Sequence, residues 1–101
     1  MHPEEPTTAE MSLAAVMAAL SDPVRVAIVR ELAARSECSC GTFDLGISKA
    51  TRSHHFKVLR EAGITWTRAN GTHRLVSLRT EDLEERFPGL ISSVLNAAKA
   101  A

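Results

Sequence analysis

The stretch SKATRSHHFKVLREAG, residues 48–63, sets the tightest limits on what this chain can fold into. It opens on serine, a good helix N-cap, and closes on glycine, a good helix stop, so it reads as one helix. On a helical wheel Phe56, Leu59 and Gly63 share one side, and Ala50, His54 and Lys57 lie roughly opposite. A helix of this kind needs a core behind it and a polar surface in front of it.

The rest of the chain supplies the core. Thr7-x-x-Glu10 has the form of a capping box and would open a first helix, with Leu13, Val16, Met17 and Leu20 as its apolar stripe. Asp22 and Pro23 start a second helix, with the aspartate as N-cap and the proline at the first helical position; Val24, Ala27, Ile28 and Leu32 line one side. After the polar break RSECS, Ser39 would cap a short third helix, CGTFDL, that stops at Gly46. The fourth helix is the segment described above. ITWTRANGTHRLVSL then alternates around Asn70-Gly71, the strongest β-hairpin signal in the chain. Thr80 would cap a last helix, with Glu81 and Asp82 in its first turn and Pro88-Gly89 forcing a kink or restart. The expected order is α-α-α-α-β-β-α: a mainly helical fold with a small β-hairpin. Residues 1–6 read as a disordered tail and residues 7–101 as one domain.

Charge distribution points to the partner. The formal net charge is zero, yet between residues 48 and 79 seven Lys or Arg stand against the single acid Glu61. That segment is therefore +6, and the remainder −6. Local field governs the approach of a polyanion, so a neutral total does not exclude nucleic acid. No run of eighteen apolar residues exists to span a membrane, and MHPEEPTTAE lacks the order of a signal peptide. Two cysteines are too few for a disulfide scaffold, which makes the cytoplasm the expected compartment.

A short helix, a glycine turn and a second helix rich in small polar and basic residues form a helix-turn-helix. In that reading Ser48 caps the recognition helix, and Lys49, Thr51, Ser53 and His54 crowd its first turns, where base edges are read. His55 is shared between DNA contact and packing. Lys57 and Arg60 lie further along, at positions suited to phosphate. Arg68, Asn70, Thr72, His73 and Arg74 on the hairpin would form a wing along the backbone or minor groove. Arg52 falls on the apolar side of the wheel, so it either packs its stem structurally or reaches DNA.

The sequence LSDPVRVAIVREL, followed by ISKATRSHHFKVLREAGI and an Asn-Gly hairpin, resembles the ArsR/SmtB family of winged-helix repressors over about residues 12–95. The resemblance implies a homodimer joined through the first and last helices, bound to a palindromic operator and usually repressing it. It also implies a ligand, often a metal or metalloid ion, that lowers DNA affinity. The apolar residues at 13–20 and 90–95 suit such an interface, although they equally suit a core. Family metal sites occupy two places. The last helix here offers Asp82, Glu84 and Glu85 but no histidine, which leaves that site without its nitrogen ligands. The other is a Cys-x-Cys near the third helix, matched in outline by Cys38 and Cys40. Two thiolates need further ligands to hold zinc or arsenite, from His2 or the other subunit, and sensing could instead depend on a partner protein. The pair could otherwise act as a redox switch, or be structural, with Cys40 in the core and Cys38 an exposed thiol.

Enzymatic function is disfavoured: no phosphate-binding glycine loop and no nucleophile–base pair stands out. The alternative to a DNA-binding regulator is a winged-helix module that binds protein instead, for which the basic residues of the fourth helix and wing would be dispensable.

Overall fold

The computed structural model describes residues 5–39, 43 and 46–100. Its helices are α1 (Leu13–Ala19), α2 (Pro23–Ala34), α3 (Lys49–Glu61), α4 (Thr80–Arg86) and α5 (Leu90–Ala100). Its strands are β1 (Cys38–Ser39), β2 (Thr65–Asn70) and β3 (His73–Leu78), forming an antiparallel sheet in the order β1-β3-β2. The fold is thus mostly helical with one small sheet, and α3 is the basic helix singled out by the sequence.

Local chemistry explains most boundaries. The Thr7–Glu10 capping box exists, with Thr7 N–H on Glu10 Oε1 at 2.8 Å and Glu10 N–H on Thr7 Oγ1 at 3.3 Å. Hydrogen bonding from the Thr7 backbone and side chain holds the Glu10 carboxyl below its usual range. The box closes only a 3-10 turn, Thr8–Glu10; Met11 is then extended and buried, and α1 starts afresh on Ser12. Asp22 caps α2 through the N–H groups of Val24 and Arg25, as read. Burial pushes the Asp22 carboxyl up, but those two N–H groups, the Arg25 charge and His55 outweigh it and leave it below its ordinary value. The stability this lends is present above the ordinary carboxylate range and is lost as pH falls through the depressed value. Asp22→Ala should therefore lower the urea midpoint at neutral pH, whereas Asp22→Asn, an equally good cap, should retain most of it. The gap between Asp22→Ala and the parent should shrink once the medium is acid enough to protonate the parent carboxyl.

The sheet is larger than expected: Ser39 lies in β1 opposite Leu75, with Cys38 opposite Val76, so the hairpin is widened into a three-stranded sheet. The expected third helix that Ser39 would cap, at 40–42 and 44–45, lies outside the described residues. Thr80 is the first residue of α4 rather than its cap; Arg79 holds the cap position without a side-chain hydrogen bond to the helix end. The hairpin turn is Gly71-Thr72, because Asn70 still pairs with His73 in the ladder. Gly71 has φ +64° and no non-glycine residue among those described, Thr72 included, has positive φ, the sign pattern of a type II′ turn. The expected last helix is split at Pro88-Gly89 into α4 and α5, the restart that those residues allowed.

The core gathers Val16, Ile28, Val29, Leu32, Leu59, Ile64, Val76 and Leu83, all at most 1% exposed. Phe56 on the back of α3 meets Phe43 edge-on, with ring centroids 5.2 Å apart at 71°. Gly63 stops α3 at φ +86°, and a Cβ there would sit 2.9 Å from Met11 Cγ. Both the backbone angle and the close approach of the N-terminal segment require glycine. Glu5 and Pro6, read as part of a loose tail, are packed here. Glu5 is buried and accepts the edge-strand N–H of Thr67 at 2.7 Å, and Pro6 O accepts from Arg79 Nη1 at 2.7 Å. Residues 1–4 lie outside the described region. None of the described helices is long and apolar enough to cross a membrane.

Candidate nucleic-acid interface

Ser48 positions the front of α3. Its Oγ accepts the Thr51 N–H at 3.1 Å and donates to Thr51 Oγ1 at 2.9 Å. The Thr51 hydroxyl hydrogen is left to point elsewhere, and Lys49, Thr51, Ser53 and His54 are all exposed. Between α3 and the sheet lies an open cleft of ≈ 550 Å³. Lys49, Arg52, Ser53, Phe56, Lys57 and Arg60 line it from the helix, and Ser39, Thr67, Thr72, His73 and Arg74 from the strands and turn. Lys49, Lys57 and Arg74 are exposed cations on its walls, while polar hydroxyls and an imidazole fill the spaces between them. Such a surface can hold a phosphate backbone against one wall while the exposed first turns of α3 reach base edges.

Not every expected contact residue faces this cleft. His55 is 8% exposed and its Nδ1 lies 3.2 Å from Arg25 Nη1, so its ring packs on α2 and does not contribute to the outer face. Arg60 lines the cleft but is only 9% exposed, which limits it to a side wall. Arg52, half-buried, donates from Nη1 to Phe43 O at 3.3 Å and so ties α3 to the segment before it. Arg68 sits on the sheet face opposite Thr67, since successive strand residues alternate. There it makes a two-pronged ion pair with Glu37, at 2.8 and 2.9 Å, that raises its already high pKa. Asn70 is exposed at the end of β2.

Arg79 was counted with the basic face, but it is structural. At 3% exposure it donates to Asp82 Oδ2 at 3.1 Å and to Pro6 O, and its guanidinium lies 3.6 Å from the Trp66 ring centroid. It thereby joins the N-terminal segment, the base of the wing and α4. Arg25 was missed altogether as an organising residue. It bonds the last carbonyls of α1, Ala19 O at 2.6 Å and Ala18 O at 3.5 Å, as well as His55. The LSDPVR stretch held the signal: an N-cap aspartate followed three residues later by a cation that reaches back to the preceding helix end.

The cysteines do not assemble a metal centre among the described residues. Cys38 is buried, its strand position places it beside Val76 on the core side of the sheet, and it is not the exposed thiol considered above. No group of three or more His, Cys, Asp or Glu in the described region could hold an ion. Cys40 and His2 lie outside that region.

Comparison with known proteins fits the geometry. Residues 22–64, which span α2 and α3, match the family described as bacterial regulatory protein, arsR family. The chain is 42% identical over 84 residues to the uncharacterized HTH-type transcriptional regulator YceK of Bacillus subtilis (strain 168), covering 80% of this chain and 84% of that protein. It is 33% identical over 73 residues to the arsenical resistance operon repressor of Staphylococcus xylosus, covering 71% of this chain and 70% of that one. With relatives matched at 42% and 33% identity over most of their length, the chain belongs to the ArsR family of helix-turn-helix transcriptional regulators and is not an enzyme.

Proposed function

We propose that the protein is a cytoplasmic, homodimeric repressor that binds a palindromic operator in double-stranded DNA. The front half of α3 enters the major groove, and the β2–β3 wing lies along the neighbouring backbone or minor groove. The observation that carries this reading is the cleft between α3 and the wing, with Lys49, Lys57 and Arg74 on its rim beside exposed Thr51, Ser53 and His54. Repression is the role named for the staphylococcal relative. Dimerisation is supported by Leu13 and Met17, 47% and 57% exposed on α1, which leave an apolar surface for a second copy. Two-fold symmetry would set the recognition helices about 34 Å apart, one DNA turn.

The inducing signal has no metal set to receive it in the described residues. We place it at another site or in a partner protein, with Cys38 and Cys40 as the remaining route for a metal, metalloid or redox signal.

Selection of sites from a random duplex library tests the reading. A palindrome with half-sites one turn apart should be enriched, and the protein should sediment as a dimer at micromolar concentration. His54→Ala should relax preference at one position in each half-site, by about 1–3 kcal/mol if a good base contact is lost. An unenriched library, or a monomer that binds a half-site as well as the palindrome, would sink it.

A further inference from the structure

The junction behind α3 contains a contact whose chemistry fixes a protonation state. A guanidinium carries only N–H donors, so at 3.2 Å from Arg25 Nη1 the His55 Nδ1 must be the acceptor. His55 is then neutral, with its hydrogen on Nε2. The same Arg25 bonds Ala18 O and Ala19 O at the end of α1. One side chain therefore joins the C-terminus of α1, the first turn of α2 and the middle of α3. We propose that Arg25 and His55 form a clasp that sets the orientation of α3, with His55 a positioning residue for base reading, and that a proton on His55 opens it.

Protonation would put an N–H on both ring nitrogens and remove the only acceptor that the ring offers. Two cations would then face one another in a poorly hydrated junction, where the Arg25 side chain is 13% exposed and His55 8%. The charged groups around the pair are few. From the α2 N-terminus, the Asp22 carboxylate lies 4.0 Å from Arg25 Nη1 and attracts a charged His55 as well, which offsets part of the repulsion between the two cations but supplies no acceptor on the ring. From α3, the His54 ring is centred 6.1 Å from that of His55, and Glu61 lines the shallow groove beside Arg25. From α1 come only backbone carbonyls, since LAAVMAA holds no titratable side chain. Asp22 already serves the helix cap and Arg25, so it cannot replace the lost hydrogen bond without leaving the cap. Loss of that acceptor on protonation makes the clasp a proton-sensitive support for the DNA-reading helix.

This inference rests on α3 being that helix, and two measurements keep the failures apart. The first is a long-range nitrogen–proton spectrum of the full chain near neutral pH, which reports the tautomer of each imidazole. An unprotonated Nδ1 on His55 is expected; a proton on Nδ1 would overturn the clasp, whatever the DNA does. The second compares the parent with His55→Asn, whose amide oxygen reaches about where Nδ1 lies and does not titrate. Affinity for the selected operator and for random duplex is measured at about pH 8 and about pH 5.5. The exposed histidines, His54 and His73, remain in both proteins, so their effect on phosphate binding cancels in the comparison. On acidification the parent should lose several-fold more of its operator-to-random preference than the variant. Equal changes in the two proteins would refute the proton-sensitive support. A parent without operator preference at either pH would instead defeat the reading of α3, and the spectrum would still decide the clasp.

Discussion

Replacing both Lys57 and Arg74 with alanine is expected to weaken binding to operator and random duplex alike, on the order of tenfold near physiological salt. Both side chains are exposed on the cleft, one from α3 and the other from the wing, and neither sits in the first turns of α3 where bases are read. Each phosphate neutralised by a cation releases counterions and adds about 0.9 to the slope of log affinity against log salt. The double variant should therefore show a slope shallower by about two, with sequence preference retained. Titrating labelled duplex at several salt concentrations gives both numbers. A loss confined to the operator, with an unchanged slope, would assign these residues to base reading rather than to phosphate.

Arg79→Ala is expected to destabilise the fold by about 3 kcal/mol, the largest stability effect among the basic residues. Three losses combine: the charge-assisted bond to Asp82, the bond to Pro6 O, and the stacking of the guanidinium on Trp66. A hydrogen bond to a charged group contributes about 1.5–3 kcal/mol, and a cation over an aromatic face about 0.5–2. Asp82 retains 29% side-chain exposure, so water can recover part of its bond and the sum falls short of the simple total. Arg79→Lys should recover little, because an ammonium cannot bond both oxygens and lie flat on the indole at once. Urea unfolding followed by circular dichroism measures the difference. A change under about 0.5 kcal/mol, the scale of an ordinary surface substitution, would show that the N-terminal segment is held by other means.

These two arginine readings show where a sequence speaks and where it is silent. Position on a strand or helix, and the caps that end it, are local properties. Asp22, Ser48 and Gly63 accordingly marked their boundaries correctly, because each acts on neighbours within a few residues. The destination of a long side chain is a tertiary property. Between residues 48 and 79 the sequence carries +6, yet Arg79 turns inward, Arg60 is mostly buried in the cleft wall, Arg68 pairs with Glu37 and Arg52 reaches the Phe43 carbonyl. What faces the cleft as exposed cation is a smaller set, Lys49, Lys57 and Arg74.

The strand β1 was illegible for a different reason. Two residues cannot display the alternation that marks a strand, and Cys38-Ser39 becomes one only because β3 offers its free edge. That pairing also decides the fate of Cys38, which a Cys-x-Cys pattern presents as a ligand and the sheet turns into a core residue. The Arg25–His55 contact joins residues thirty positions apart, beyond any periodicity or capping rule. In the sequence His55 is merely the second of two adjacent histidines, and adjacency on a helix says only that the two rings point different ways.

The claim on which the account turns is that the front of α3 and the facing wall of the wing meet DNA. Its most direct test is a titration of the isotope-labelled full chain with the selected operator duplex, followed by backbone and side-chain nuclear resonances. The shifts should be largest at Lys49, Thr51, Ser53, His54 and Lys57 and at Thr72, His73 and Arg74, with α5 and the exposed flank of α2 moving far less. Shifts concentrated on α2 and α5, with the cleft undisturbed at saturating duplex, would contradict the account.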